Sequence, residues 1–343
     1  MRAPAIGVPS GGQTLSFALR LAALAIVIAL PLAGAAAQES DAAKRFPARP
    51  IRIVVPFPAG GPTDIDMRII AQKMSEDWGV GVVVDNRAGG NTTIGAQAVA
   101  KAAPDGYTLL AAMDTTLVLN PATGITADYD PFRDFVTITL TAKNTSLLSV
   151  RARDGPKTVK ELIAIAKANP GKLNYGAGIL TTRLSGYLFA KEAGIDVVLI
   201  PYKGSAEVVQ GLLTGAVDFI VDGVASHLSL IKSGQFRALA KLNNRPLSQL
   251  PNLPTLAQAA DLPQLEDMGS WIGLVAPAGT PSPIIDKIQQ EVVRATADPA
   301  TAEKLDKAGI NAVTSTPAEF DAFFRSEAVR WSKMVKESGI KLE

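Results

Sequence analysis

Short apolar runs alternate with segments of helical pattern along most of the chain. The first three runs are Ile51–Val55, Val82–Val84 and Leu109–Ala112, and a small or polar loop follows each of them. After the first run, apolar residues recur on one helix face, at Met67, Ile70, Ala71, Met74 and Trp78. Strands that alternate with helices are typical of a parallel sheet with right-handed crossovers, so an α/β fold is predicted.

A second block, beginning near Arg151, repeats this order of strand, loop and helix. Its predicted strands are Leu173–Tyr175, Val197–Ile200, Asp218–Asp222 and Arg237–Leu242. Residues 243–265 are rich in proline and are predicted to form a surface connection, which leads to a buried strand at Trp271–Ala276. The rest of the chain has a helical pattern. Two similar blocks in 343 residues predict two domains.

Four loops have the same position in the predicted fold: each follows a strand and precedes a helix. They are L1 (Phe57–Asp64), L2 (Gly89–Thr93), L3 (Gly176–Thr182) and L4 (Tyr202–Ser205). In open α/β sheets, ligands bind at the carboxyl ends of strands, where the free N–H groups of helix N-termini attract anions. These loops offer backbone N–H groups and hydroxyls but few charges, which suits a small carboxylate. For L1 alone, an ordinary βα turn is the alternative.

The first 37 residues have the pattern of a removable signal peptide. Arg2 and Arg20 are its basic residues, Leu21–Leu32 is a short apolar region, and Ala37 ends a small-residue cleavage site. An uncleaved anchor helix is the alternative, although the apolar run is short for a membrane span. Cleavage would remove two of the 34 Lys and Arg residues and leave 32, equal to the 32 Asp and Glu residues.

Composition excludes several classes of function. There is no cysteine, and His227 is the single histidine, so thiolate zinc sites, thiol nucleophiles and histidine clusters are excluded. No basic run suggests nucleic acid as a partner. His227 has no acid close to it in sequence and is expected at the surface or at a helix start. No catalytic residue, metal site or cofactor is predicted.

Several acidic residues have two interpretations. Asp64 and Asp66 form a weak metal pair, or they are ordinary acids near a helix start. Asp218 and Asp222 bound a short strand and are acid/base residues or, more commonly, strand-end caps.

Lys203 in L4 either binds the ligand or reaches solvent.

Trp271 also has two interpretations, because it packs either in the core or hinge or in the cleft. No Walker lysine follows either L1 or L2, and no nucleophile-elbow motif is present.

A set of motifs resembles the Bug family of extracytoplasmic solute receptors of the tripartite tricarboxylate transporter type. The motifs follow one another along the whole mature chain, and the main ones are Pro56–Asp64, Val84–Gly90, Ala103–Leu109, Asn174–Gly176, Pro201–Gly204, Gly215–Asp218 and Gly273–Pro281. The resemblance implies a type II periplasmic binding protein fold, with two Rossmann-like lobes joined by a hinge and a ligand cleft between them. The implied lobes are residues 45–148 with 270–343, and residues 149–269.

The resemblance also implies which residues bind the ligand. One wall would comprise Phe57, Gly60, Gly61, Thr63 and Asp64, with Thr115 after the third strand. The other would comprise Gly178, Ile179, Thr181, Tyr202, Lys203, Gly204 and Asp222. The chain departs from the family pattern at two positions of this second wall. Arg183 stands where a histidine is expected, after a shortened loop, and Gly223 stands where asparagine is common. Arg183 either adds a counter-ion for the ligand or points to solvent.

The function implied by the resemblance is that of an exported, monomeric receptor in the periplasm. It would capture a small organic acid by hinge closure and deliver it, through transient contacts, to the subunits of a membrane transporter. An enzyme on the same fold is one alternative, against which the scarcity of His and Cys and the export signal argue. A ligand sensor for a signalling partner is another alternative, and the sequence does not distinguish it from a transport receptor.

Overall fold

The apolar runs fold into two five-stranded sheets in a computed structural model that describes residues 44–125, 127–266 and 268–338. The predicted signal peptide lies outside these residues. The chain divides into an N-terminal unit, residues 1–46, and a second unit, residues 47–343. In the N-terminal unit, the described part includes a helical turn at residues 44–45. The second unit holds every element named below.

The first sheet has the strand order β2-β1-β3-β10-β4. Its strands are β1 (Ile51–Val55), β2 (Val82–Asn86), β3 (Thr108–Met113), β4 (Phe135–Asn144) and β10 (Ser270–Pro277). The predicted parallel pairing is confirmed for β1 with β2 and β3, but β10 is antiparallel to both of its neighbours. A purely parallel sheet was therefore the wrong prediction. β4 leaves this sheet for the second one and β10 returns from it, so β10 must run in the opposite direction.

The second sheet has the strand order β7-β6-β8-β5-β9. Its strands are β5 (Ser146–Arg151), β6 (Leu173–Ala177), β7 (Val197–Pro201), β8 (Phe219–Gly223) and β9 (Phe236–Lys241). β6 is parallel to β7 and β8, whereas β5 is antiparallel to β8 and β9 because it enters directly from β4. Both sheets are thus mixed, and the chain belongs to the two-lobed α/β class that the sequence predicts.

Helices follow most strands. They are α1 (Pro62–Trp78), α2 (Thr93–Ala100), α3 (Asn120–Ala122), α4 (Val159–Ala168), α5 (Leu180–Ala193), α6 (Ser205–Thr214), α7 (Val224–Lys232), α8 (Leu256–Ala260), α9 (Ser282–Ala297), α10 (Pro299–Lys307) and α11 (Pro317–Ser338). A π-helical turn, Thr115–Leu119, follows β3. In the described residues, no helix is both long and apolar enough to cross a bilayer.

The sequence specifies the ends of α1 locally. Gly61 is its N-cap and Pro62 occupies the first turn, where a missing N–H costs nothing. Gly79 ends the helix in the left-handed conformation, with φ 66°. The predicted apolar face is confirmed, because Met67, Ile70 and Met74 have no exposed surface.

Trp271 packs in the core, as one of its two interpretations predicts. It is 2% exposed and lies edge-on to Phe320 and Phe323 of α11.

His227 lies near a helix start, as one of its two interpretations predicts, because it is the fourth residue of α7. The surface interpretation was wrong, since His227 is fully buried and contacts Phe236 of β9 edge-on, with 6.2 Å between ring centroids. Burial lowers the pKa of His227 to about 4, although hydrogen bonds with the backbone of Asp222 and Gly223 oppose this shift. Local sequence shows no acid beside His227, but it cannot show that β9 packs over the helix.

The proline-rich connection contains regular secondary structure that its sequence pattern does not predict. It contains α8, which Thr255 and Gln258 cap reciprocally in a capping box, and a 3₁₀ turn at Pro263–Leu265. Leu256 and Leu265 are buried. The four prolines masked this short helix in the sequence pattern.

Candidate functional site

A cleft lies where the carboxyl ends of the strands of both sheets meet. It has an inner compartment of about 140 Å³ and an outer compartment of about 620 Å³. Phe57, Pro58 and Ile179 line both compartments and therefore lie between them; these three apolar residues are called the neck. L1 comes from the first sheet, and L3 and L4 come from the second, as the sequence predicts for a cleft between two lobes.

Three helix N-termini converge on the inner compartment. The N-caps of α1, α6 and α7 are Gly61, Gly204 and Gly223, and all three line the inner compartment. None of these caps carries a side-chain hydrogen bond. Pro62 has no N–H and Val224 N donates to Thr145 O at 3.3 Å, but no side chain caps the remaining N–H groups of these first turns, which are therefore available to a ligand. The helix dipoles make this compartment attractive to negative charge.

Five hydroxyl groups also line the inner compartment, those of Thr63, Ser146, Thr182, Ser205 and Ser270. Thr63, Thr182 and Ser205 donate to Met113 Sδ, Ile179 O and Asp222 Oδ1, so Ser146 and Ser270 are the candidate hydroxyl donors for a ligand. No Lys or Arg is among the described residues that line it, so backbone dipoles and hydroxyls bear the attraction for an anion.

Two acids line the inner compartment, the exposed Glu207 and the buried Asp222. Asp222 is 2% exposed, and its Oδ1 accepts a hydrogen bond from Ser205 Oγ at 3.1 Å. Burial raises the pKa of Asp222 to about 6, and the hydrogen bond from Ser205 opposes this rise. Its Oδ2 is buried and has no hydrogen-bond partner in the described part of the chain. A fraction of the protein therefore carries a neutral Asp222 that can donate a hydrogen bond.

Asp64 supports L1 from below rather than lining the cleft. Its carboxylate accepts hydrogen bonds from Gly60 N at 2.9 Å, Asn86 Nδ2 at 2.9 Å and Arg68 Nε at 3.0 Å. Burial alone would raise the pKa of Asp64, but these donors and the Arg68 charge hold it below its ordinary value. The carboxylate thus fixes Gly60, which has φ 83°, and so fixes the path of the loop.

The two lobes touch directly through Asp114, at the end of β3. Its Oδ1 accepts hydrogen bonds from Thr115 N and from Thr181 Oγ1 of the opposite wall, both at 2.6 Å. Thr115 Oγ1 lies 3.1 Å from Thr181 Oγ1. Burial raises the pKa of Asp114 to about 7 despite these hydrogen bonds.

Two glycines make the cleft narrow. A Cβ atom at Gly204 would lie 3.2 Å from Pro58 Cγ, and one at Gly223 would lie 2.7 Å from Pro62 Cγ. Both prolines belong to L1 and both glycines to the opposite wall. The structure therefore shows the cleft closed, with a fit that leaves little space for a side chain at Gly223.

Basic residues line the outer compartment, whereas none of the described residues that line the inner compartment is basic. Arg183 and Lys203 line it, and no Asp or Glu does so among the described residues. Arg183 is half-buried and donates from Nη2 to Gly178 O at 3.0 Å and Tyr202 O at 2.9 Å. It does not simply point to solvent.

The predicted binding residues fall into three groups. Phe57, Gly61, Thr63, Ile179, Gly204 and Asp222 line the inner compartment. Thr115, Gly178, Arg183, Tyr202 and Lys203 line the outer compartment, which also shares Phe57 and Ile179. Gly60, Asp64 and Thr181 line neither; the first two shape L1, and Thr181 joins the lobes.

Sequence reasoning missed the residues contributed by the strands that cross between the lobes. Asn144, Ser146 and Ser270 lie where β4, β5 and β10 pass the cleft, and Met113 ends β3. They carry no loop signal, since they belong to strands. Asp114 was part of a predicted strand-end loop, but its contact with Thr181 depends on how the lobes meet. In the described residues no three metal-ligating side chains form a cluster.

Comparisons with known proteins agree on one family. The profile described as "Tripartite tricarboxylate transporter family receptor" matches residues 67–340. Protein BugT of Bordetella pertussis is 33% identical over 329 residues, which cover 95% of this chain and all of that protein.

Two solved structures are similar along nearly their full length. The R. palustris protein Rpa4515 with adipate has a TM-score of 0.82 at 34% identity, covering 86% of this chain and 99% of that chain. MatC (Rpa3494) from Rhodopseudomonas palustris with bound malate has a TM-score of 0.78 at 29% identity, covering 84% and 100%.

Proposed function

Because this chain belongs to the tripartite tricarboxylate transporter family of receptors, we propose that it captures a small carboxylate and delivers it to a membrane transporter of that type. The matches confirm the resemblance to the Bug family that the motifs predict. Members of this family are binding receptors, so the chain is not an enzyme.

The convergence of three helix N-termini on the inner compartment carries this proposal. A carboxylate held there would accept hydrogen bonds from the first turns of α1, α6 and α7. The hydroxyls of Ser146 and Ser270 would complete its hydrogen bonding. The two similar structures that hold adipate and malate support a carboxylate as the class of ligand.

Asp222 limits how the carboxylate binds. An ionised Asp222 would repel the ligand, whereas the protonated form donates a hydrogen bond to it. The pKa of about 6 makes protonation inexpensive near neutral pH, and a bound anion raises that pKa further. Ligand binding would therefore take up a proton at Asp222.

We propose that the crossing segments form the hinge between lobes 45–148 with 270–343 and 149–269. Asn243 joins two crossings, because its Oδ1 accepts from Thr145 Oγ1 at 2.8 Å and its Nδ2 donates to Asn144 O at 3.2 Å. Met268 N donates to Leu242 O at 2.9 Å. Such a short set of backbone segments can bend while each sheet stays rigid.

Export and delivery complete the proposal. Residues 1–37 would direct export and be cleaved near Ala37, which leaves a monomeric receptor in the periplasm. Contact with the transporter subunits would be transient and would depend on the closed lobes.

A thermal-shift screen of the mature protein tests the class of ligand. Monocarboxylates, dicarboxylates, tricarboxylates and aromatic acids are compared with the corresponding neutral amides. A ligand at a concentration one hundred times its Kd stabilises the protein by about 2.7 kcal/mol, which gives a shift of several degrees. Stabilisation by an amide but by none of the acids would contradict the carboxylate site.

A further inference from the structure

Two basic residues and no acid line the outer compartment among the described residues. The carboxylate proposed above for the inner compartment does not use them. Arg183 lies on α5 at the end of L3, and Lys203 lies in L4. The inner compartment, by contrast, is lined by Asp222 and Glu207 and by no cation in the described part of the chain. The two ends of the cleft therefore differ in charge.

Arg183 is a cation without a counter-ion. No Asp or Glu of the described residues forms a salt bridge with it, and its Nε is buried without a hydrogen-bond partner. The two carbonyl oxygens that accept from Nη2 hold the guanidinium in place but bring no charge. A half-buried charge is costly unless an opposite charge meets it, and burial accordingly lowers the pKa of Arg183.

The neck between the compartments is apolar. Phe57, Pro58 and Ile179 form it, and they face both cavities. Methylene groups bind well beside such side chains, whereas a charged group would lose its hydration there without compensation. A ligand that spans both compartments therefore has an apolar middle.

We propose that the outer compartment is a second anion subsite, in which Arg183 binds the distal carboxylate of an α,ω-dicarboxylate whose methylene chain crosses the neck. This inference rests on the proposed function, which places the first carboxylate in the inner compartment. Nη2 of Arg183 is committed to Gly178 O and Tyr202 O, so Nη1 is the group that would donate a charge-assisted hydrogen bond to the distal carboxylate. Arg183 is thus a specificity-determining residue, and Lys203, which is exposed, adds only a weak general attraction.

Titration calorimetry with matched pairs of acids tests this subsite. Succinate, glutarate, adipate and pimelate are each compared with butyrate, valerate, hexanoate and heptanoate, respectively, using the mature wild-type protein. At least one dicarboxylate is expected to bind about tenfold to a hundredfold more tightly than its partner, as a charge-assisted hydrogen bond provides. If all four pairs bind with equal affinity, the second subsite does not exist.

Two variants then assign the effect to Arg183. Arg183→Gln is expected to bring the affinity ratio of the best pair close to one, and Arg183→Lys to restore part of it. Arg153→Gln is the matched control, because Arg153 is an exposed surface arginine paired with Asp154. An unchanged ratio in Arg183→Gln, with the protein folded by circular dichroism, would refute the role of Arg183.

The outcomes separate the two proposals. If no acid of either class binds to the wild-type protein, the carboxylate function itself fails. If both classes bind equally well, that function stands and only the distal subsite fails. The wild-type comparison decides this even if Arg183→Gln does not fold.

Discussion

Closure of the cleft should be blocked by one methyl group at Gly223. This residue is the N-cap of α7 and has φ −65° and ψ 146°, a conformation that alanine adopts without strain. An alanine Cβ there would lie 2.7 Å from Pro62 Cγ on the opposite lobe. The substitution Gly223→Ala therefore acts on the contact between the lobes and leaves the backbone conformation allowed.

The magnitude follows from the size of the clash. Ordinary contacts of a Cβ atom begin at about 3.4 Å, so the lobes must separate by roughly 0.7 Å at this point. Neither partner can move aside easily, because Pro62 is a rigid ring at the start of α1. Overpacking of this kind costs about 1–3 kcal/mol, which lowers the apparent affinity about fivefold to 150-fold.

Calorimetry measures the loss of ligand affinity, and small-angle scattering measures the incomplete closure of the lobes. The Kd of the tightest acid from the screen should rise in Gly223→Ala, and the decrease in radius of gyration on binding should become smaller. Thermal unfolding without ligand reports separately on the small loss of helix capping that alanine causes at an N-cap.

Gly81→Ala is the matched control. Gly81 lies outside the cleft, and an added Cβ would meet Pro50 Cβ at an ordinary 3.9 Å. It should keep the wild-type Kd. Wild-type affinity and a wild-type scattering change in Gly223→Ala would show that ligand binding does not require the closed contact described here.

Two further substitutions test the buried carboxyl groups. The raised pKa of Asp114 means that the folded protein binds a proton which the unfolded chain releases. The contribution of Asp114 to stability therefore falls between about pH 4 and about pH 7. Asp114→Asn keeps an acceptor for Thr181 and should be more stable than wild type by on the order of 2–4 kcal/mol at pH 8. Urea unfolding should show this advantage vanishing near pH 4, and parallel pH profiles of the two proteins would contradict the prediction. Asp64 has a lowered pKa, so its contribution is present at neutral pH and is lost as pH falls through that pKa. Asp64→Ala should cost about 2–3 kcal/mol of stability at pH 7, because it leaves Gly60 N and Arg68 Nε without their acceptor and Asn86 Nδ2 with Phe57 O alone. It should also weaken ligand binding, and an unchanged unfolding midpoint would refute its support of L1.

Local sequence determined the elements that carry the site. The β-branched run Ile51–Val55, the glycines and Pro62 of L1, and the apolar face of α1 all act over a few residues, so their pattern is visible in the chain itself. The same holds for Thr158, whose side chain caps α4 by accepting a hydrogen bond from Glu161 N. The four loops are visible as the segments between a strand pattern and a helix pattern. Their place at the ligand cleft follows from the general rule that open α/β sheets bind ligands at the carboxyl ends of their strands.

Only the tertiary structure decided which residues of those loops face the cleft and which support it. Asp64 turns toward Gly60 and Asn86, whereas Asp222 faces the inner compartment, although both are acids at the end of a strand or the start of a helix. The difference arises from distant neighbours, Asn86 for Asp64 and Ser205 for Asp222, and side-chain type does not encode such neighbours.

The burial of His227 and the contact of Asp114 with Thr181 also depend on packing between distant segments. Both pKa shifts follow from that burial, because loss of solvation disfavours the charged form of any side chain, whatever its sequence context. The sequence by itself therefore determined most strands, the four loops and the helix starts that follow them. The tertiary structure decided the mixed strand direction, the closed contacts between the lobes and the separation of the cleft into two compartments, since each of these is set by where the chain crosses between its sheets.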